Sequence, residues 1–300
     1  MKNRSFKYGL ACGLAATAVA AWGLATVRPQ GQMPRALPIL PKRPAPAVAP
    51  SGPMTAQFAV PVLMYHRISD LTPQEARSPL MRDLTVSPHD FEQQVKYLVE
   101  HGFTFLKTRD IEAALRDHAP LPEKAVALTM DDGYKDNFEQ AFPILRRYDV
   151  PATIFLVTNT VNTPGHLSWE NVQTMQRVQM GYGSHTVHHY DLTELPTAQL
   201  DFELRESKRV LESRLAEPVT GLAYPSGAYN QTVAARTEAA GYWAGWKKGG
   251  GPVQPDQNMF LLPRVRVRGN TTLDEFKAAV WSGLYVVAER KDRAAKRESA

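Results

Sequence analysis

Residues 127–134 read ALTMDDGY: an apolar run stops at two adjacent aspartates and a glycine. Neighbouring carboxylates repel, and burying either one is costly unless something compensates. Asp131 and Asp132 therefore belong either on a solvated turn or beside a cation. The run that delivers them, AVALTM at 125–130, reads as a buried strand.

Outward from that strand, the pattern alternates. Strand runs are expected at 60–66 (VPVLMYH), 152–157, 182–185, 220–225, 242–246 and 262–267 (LPRVRV). Helices are expected at 87–103, 108–117, 136–148, 169–179, 197–215, 230–240 and 272–282; in the first, Phe91, Val95 and Leu98 share a face and Ser87 caps the start. Such alternation implies an α/β parallel sheet, either a barrel or a doubly wound sheet. Active groups in those architectures gather just past the carboxyl ends of strands. That rule selects His66, Asp131, Asp132, His185 with its neighbours, Ser226, Gly227 and Arg264.

The chain of 300 residues has a formal charge of +5, but the excess sits at its ends. Residues 1–58 hold seven Lys/Arg and no acid, whereas 59–288 hold 23 basic and 27 acidic residues. A basic patch for nucleic acid is thereby excluded. Lys2, Arg4 and Lys7 precede an apolar run from Tyr8 to Val27, so 1–27 reads as a signal peptide or membrane anchor that exports the rest of the chain. AVAA at 18–21 offers a cleavage site, while the length favours an uncleaved anchor on the membrane. The expected location is the cell envelope or the extracellular space. Residues 28–58, with eight prolines between 28 and 53, read as an extended linker, and 289–300 as a charged tail. The single cysteine, Cys12, lies in the apolar run, so the exported domain at 59–288 carries no disulfide.

GSHTVHHYDL at 183–192 adds His185, His188 and His189. A helical turn there would place His185 and His189, four apart, on one face. Two histidines and a carboxylate with open positions suit Zn²⁺ or a similar ion. Either His188 or His189 could serve as the second imidazole.

TMDDG (129–133) and HTVHH (185–189), together with PATIFLV (151–157) and AYPSGAYN (223–230), resemble the polysaccharide deacetylase family, the family 4 carbohydrate esterases with the NodB homology domain. The resemblance spans roughly 60–285. It implies a distorted (β/α) barrel that removes N-acetyl groups with a divalent metal, Zn²⁺ by default and Co²⁺ or Ni²⁺ as alternatives. It implies Asp132, His185 and His189 as ligands, His189 rather than His188 by the family's spacing, and Asp131 as the proton acceptor. The segment holding Tyr224, Pro225, Ser226 and Gly227, with Tyr134, would face substrate, and a backbone N–H near Ser226 would meet the oxyanion. The sequence also departs from the family. Ala223 stands where the third motif usually has arginine, Ser226 follows Pro225 where Tyr or Trp is usual, and no histidine follows His189. PVLMYHRI (61–68) and the LPRVRV strand resemble the branch acting on poly-N-acetylglucosamine of biofilm matrix, with His66 and Arg264 as stand-ins. The implied partner is that polysaccharide; peptidoglycan, chitin or acetylated xylan are alternatives, a non-catalytic carbohydrate-binding relic is a further one, and no obligate protein partner is evident. Tyr134, Trp169, Tyr190, Tyr224, Trp243 and Trp246 divide between core positions and candidates for stacking on sugar rings.

Overall fold

Every residue of the strand Ala125–Met130 is buried, as a strand covered on both faces requires. In the computed structural model of the protein, which describes residues 54–55 and 58–282, this strand is the centre of an eight-stranded parallel sheet. The strands are β1 (Val62–Tyr65), β2 (Thr104–Leu106), β3 (Ala125–Met130), β4 (Thr153–Leu156), β5 (Gly181–Ser184), β6 (Gly221–Ala223), β7 (Ala244–Trp246) and β8 (Val265–Arg266). Their order is β7-β6-β5-β4-β3-β1-β8, with β2 pairing the first half of β3. The sheet curls until its ends approach: β8 lies beside β1, and bridges join Trp246 to Leu262 and Gly249 to Arg264. The result is the distorted (β/α) barrel, with the first and last strands as neighbours.

Alternation along the strands divides the core. Val62, Ala125, Ala127, Phe155, Ala223, Ala244 and Trp246 form one buried cluster. Leu63, Tyr65, Val126, Leu128, Met130, Ile154 and Leu222 belong to the other, which packs against the helices. The first cluster fills the barrel. Asp131, two residues beyond Thr129 and four beyond Ala127, has the same parity, so the strand aims its carboxylate into the barrel mouth.

Three expectations are corrected. Thr104–Leu106 forms a strand that the sequence does not announce, because only Lys107 separates it from the helix Thr108–Arg116. The 136–148 helix begins instead as a π-helical turn, Asn137–Ala141, before α-helix Phe142–Arg147. The folded chain also starts before 59: Met54–Thr55 pairs antiparallel with Leu121–Pro122, and Phe58 is buried. The segments 1–27 and 289–300, and most of 28–58, lie outside the described residues. Among the described residues no helix is long and apolar enough to cross a membrane.

Glu112 is an ionisable group at the far end of the barrel. It is fully buried and accepts hydrogen bonds from Thr220 Oγ1 (2.5 Å) and Trp246 Nε1 (2.8 Å). Gly221, which opens β6, leaves the space for it: a Cβ there would lie 2.3 Å from Glu112 Oε1. Burial, only partly offset by the two hydrogen bonds, pushes the carboxyl up to about 7. A raised folded-state value means that the protonated form favours folding. That contribution is complete below the ordinary glutamate value and is lost as pH rises through about 7. Glutamine keeps the Trp246 bond through Oε1 and can donate to the Thr220 hydroxyl. Glu112→Gln is therefore expected to flatten the melting temperature between about pH 5 and 8 and to raise it at the alkaline end. A variant less stable than the native protein at alkaline pH would show that the carboxylate is comfortable there.

Candidate functional site

Beyond β3 the backbone turns back on itself: Asp132 and Gly133 both have positive φ, 70° and 71°. Aspartate tolerates the left-handed region better than most residues, and at Gly133 a Cβ would meet Leu156 Cδ2 at 2.6 Å. The turn separates the two carboxylates, so that they meet different partners.

Asp131 is buried and paired with Arg264, whose Nη1 and Nη2 donate to its two oxygens at 2.6 and 2.8 Å. Arg264 is itself 1% exposed, and it does not lie at a strand's carboxyl end as the sequence pattern implies. It precedes β8, and its side chain climbs the barrel interior past Thr129 Oγ1 (3.4 Å) with the guanidinium 5.1 Å from the Phe155 ring. Burial alone would raise the Asp131 carboxyl. The charges of Arg264 and His185 and the Arg264 hydrogen bonds outweigh it and hold the group well below the usual carboxylate range.

Asp132 faces two imidazoles. Its Oδ1 lies 3.5 Å from His185 Nε2 and 3.5 Å from His189 Nε2. One donor atom from each of Asp132, His185 and His189 falls within a mutual 4.8 Å. A tetrahedral ion with bonds of about 2.1 Å sets neighbouring donors about 3.4 Å apart, so the spacing fits one ion. His185 Nδ1 lies 2.7 Å from the Ala223 carbonyl, which can only accept; Nδ1 therefore carries the proton and Nε2 presents its lone pair. Burial and His185, opposed by Asp132 and Asp131, lower His189, which favours the neutral form that ligation needs.

The histidine segment is not helical. Thr186 and His189 have φ of 69° and 60°, and a loop of left-handed turns brings the two imidazoles together. The same loop turns His188 away: its Nδ1 lies 2.6 Å from Glu203 Oε1. The described geometry thus groups His189, not His188, with His185 and Asp132.

His66 follows β1, half-buried, with the charges of Asp131 and Asp132 acting on its ring. Burial lowers its pKa, those carboxylates oppose the shift, and Arg266 and Arg264 reinforce it. Asn137 Nδ2 donates to the His66 carbonyl (2.9 Å), and Asp136 accepts from Ile68 N–H and Arg67 Nε, both at 3.0 Å. These bonds tie the end of β1 to the segment following the Asp-Asp turn. No sequence signal marks Asp136, Asn137 or Arg67, because Asp136 and Asn137 sit within an ordinary helical pattern.

One residue expected to face substrate does otherwise. Tyr224 is fully buried, its hydroxyl donating to Phe260 O (2.9 Å), because Gly245 opens a slot that a Cβ would close at 2.1 Å. Tyr134 is half-buried and stacks on His166 at 5.3 Å. Burial and Asp132 push its phenol well up. Pro225 is buried as well; Ser226 is exposed and Gly227 half-buried on a turn with φ of 56° and 74°. Tyr190 (45% exposed) and Tyr229 (36%) are the outward aromatics nearest these segments, while Trp246 is core. Trp169 and Trp243 are half-buried under Arg214 and Arg116.

Comparison with known proteins converges on one family. The family profile described as polysaccharide deacetylase matches residues 118–245. YxkH of Bacillus subtilis (strain 168), whose name places it among the polysaccharide deacetylases, is 31% identical over 223 residues, 74% of this chain and 76% of that protein. A poly-β-1,6-N-acetyl-D-glucosamine N-deacetylase of Staphylococcus epidermidis is 24% identical over 246 residues, covering 74% of this chain and 82% of its own. The structure of Streptococcus pyogenes deacetylase PplD in complex with acetate superposes with a TM-score of 0.70 at 29% identity, over 75% of this chain and 99% of that one.

Proposed function

Since the chain belongs to the polysaccharide deacetylase family, we propose that it removes N-acetyl groups from an extracytoplasmic polymer of N-acetylglucosamine, poly-β-1,6-N-acetylglucosamine first among them, with a divalent ion held by Asp132, His185 and His189. The observation that carries this reading is the trio of donor atoms, with Asp132 Oδ1 3.5 Å from the Nε2 of each histidine, beside the buried, arginine-paired carboxylate of Asp131. The bound ion, Zn²⁺ by the donor set and Co²⁺ or Ni²⁺ otherwise, supplies Lewis acidity and makes water nucleophilic at neutral pH.

The remaining work falls to the chain's own groups. Asp131 takes the proton of the attacking water at a carboxylate oxygen. Arg264 fixes the plane of that carboxylate and keeps it ionised, filling the place that Ala223 vacates. His66 hands a proton to the departing nitrogen, without which an amine is a poor leaving group. Tyr134, half-buried two residues past Asp132, faces the sugar. The exposed turn at Ser226 and Gly227 offers backbone to the sugar. The staphylococcal relative's name supports the choice of polymer. Export agrees with the Lys2-to-Val27 pattern.

Acetate release from defined polymers, with metal-stripped and reconstituted protein, tests the reading. Activity that survives stripping removes the ion from the mechanism, and activity confined to xylan or peptidoglycan replaces the polymer. Within the same assay His66→Ala is expected to keep metal and fold but to lose ~10²-fold or more in kcat, with the alkaline limb of the pH profile altered. Because a general acid must be protonated, and burial lowers His66, that limb should lie lower than an unperturbed imidazole would place it. Normal turnover by the variant would exclude His66.

A further inference from the structure

The helix Thr197–Leu215 buries a carboxylate that the proposed chemistry does not use. Glu203 is fully buried, and three donors converge on it, all from the three residues between His185 and His189. Val187 N–H and His188 N–H both donate to Oε2 at 2.9 Å, and His188 Nδ1 meets Oε1 at 2.6 Å. One turn further along the helix, Ser207 Oγ lies 2.9 Å from Ser184 Oγ, which accepts from Thr186 N–H at 3.1 Å. The helix therefore grips the histidine loop just before its first imidazole and again in its middle.

The loop needs such a grip. Thr186 is β-branched and left-handed (φ 69°), a conformation with little intrinsic preference, and His189 is left-handed too (φ 60°). Consecutive N–H groups in turns of this kind form a concavity that attracts an anion. Glu203 supplies the acceptor there, built into the fold. The rest of the loop is satisfied around it: His189 N–H donates to Thr186 Oγ1 (3.0 Å), and the Thr186 and Val187 carbonyls accept from Thr158 and Asn159 N–H, each at 3.1 Å.

We propose that Glu203 is the positioning residue of the metal loop. By filling the concavity between His185 and His189 it fixes the separation and aim of their Nε2 atoms, and so sets metal affinity without touching ion or substrate. The inference rests on Asp132, His185 and His189 being the ligands. It also explains why His188, adjacent to a ligand, is committed elsewhere.

The test is competition for Zn²⁺ between the full protein and a chromogenic chelator, with circular dichroism and the melting temperature of the metal-free protein as fold controls. Glu203→Met keeps much of the length but removes both acceptor oxygens, leaving the Val187 and His188 N–H groups without their partner. It is expected to fold and to bind Zn²⁺ ~10–100-fold more weakly. His188→Phe removes one of the three donors, keeps a ring beside Tyr190 (5.2 Å from His188), and is expected to weaken binding several-fold. Leu211→Ala, a buried change on the same helix, should lower the melting temperature and leave Zn²⁺ affinity alone. Native affinity in folded Glu203→Met overturns the proposal; should that variant fail to fold, native affinity in His188→Phe overturns it. Retention of Zn²⁺ by His189→Asn overturns the ligand set instead, and the proposal with it.

Discussion

Purified Asp132→Asn, His185→Ala and His189→Asn are each expected to emerge folded, with less than stoichiometric metal after dialysis and no acetate release above background. Asparagine is chosen at 132 and 189 because both positions are left-handed, φ 70° and 60°, where alanine adds strain that could be mistaken for a ligand effect. Changes to the groups that orient metal ligands already cost ~10–100-fold in affinity, so loss of a ligand should cost more. His185 is the most demanding of the three. It is 2% exposed, and its Nδ1 bond to Ala223 O vanishes with the ring, so its melting temperature will also fall. The measurement is metal per chain by atomic absorption, beside activity with metal in excess. Full metal occupancy in all three variants would mean that the ion binds elsewhere.

The second large effect concerns the buried ion pair. Arg264→Met preserves most of the volume but leaves the Asp131 carboxylate without a counter-ion, at 3% exposure. Breaking such a pair costs about 3–5 kcal/mol, more than the surface pairs of this protein can. Native Asp131 has a depressed value, so its contribution to stability holds above the ordinary aspartate range and is lost only as pH falls through the lower folded-state value. In the variant only the charges of His185 and His66 still oppose burial, and the carboxyl rises. The acid limb of the rate profile should then move to higher pH, and turnover at neutrality should fall as the carboxyl protonates. Asp131→Asn should fall ~10²–10⁴-fold with metal retained. The double variant Asp131→Asn/Arg264→Met should melt above Arg264→Met alone, because the stranded charge is gone. A native pH profile in Arg264→Met would show that Arg264 only fills space.

Much of this is legible from residue order. β3 is apolar at nearly every position and Asp131 and Asp132 end it, so strand, turn and carboxylates follow from local chemistry alone. Arg264 is flagged by its place in the LPRVRV strand and by the absence of arginine at 223; nothing local says that its side chain runs up the barrel interior. The histidine spacing of four suggests a helix and the structure supplies a loop, since Thr186 and Val187 disfavour helix and Glu203 rewards another path. Glu203 itself is invisible in the sequence: a glutamate in the helix Thr197–Leu215 looks like any solvated one until the helix is docked. Tyr224 departs from its expected role for a related reason, because the slot beside Gly245 exists only once β6 and β7 are adjacent.

The pairing of Asp131 with Arg264 joins positions 133 residues apart. During synthesis the carboxylate leaves the ribosome long before its partner does. Every shorter nascent chain holds an acid that it cannot bury without protonating it, so β3 can align early while the barrel mouth stays open and wet. Closure by the eighth strand, which Arg264 precedes, and neutralisation of the Asp131 carboxylate are then expected to arrive together.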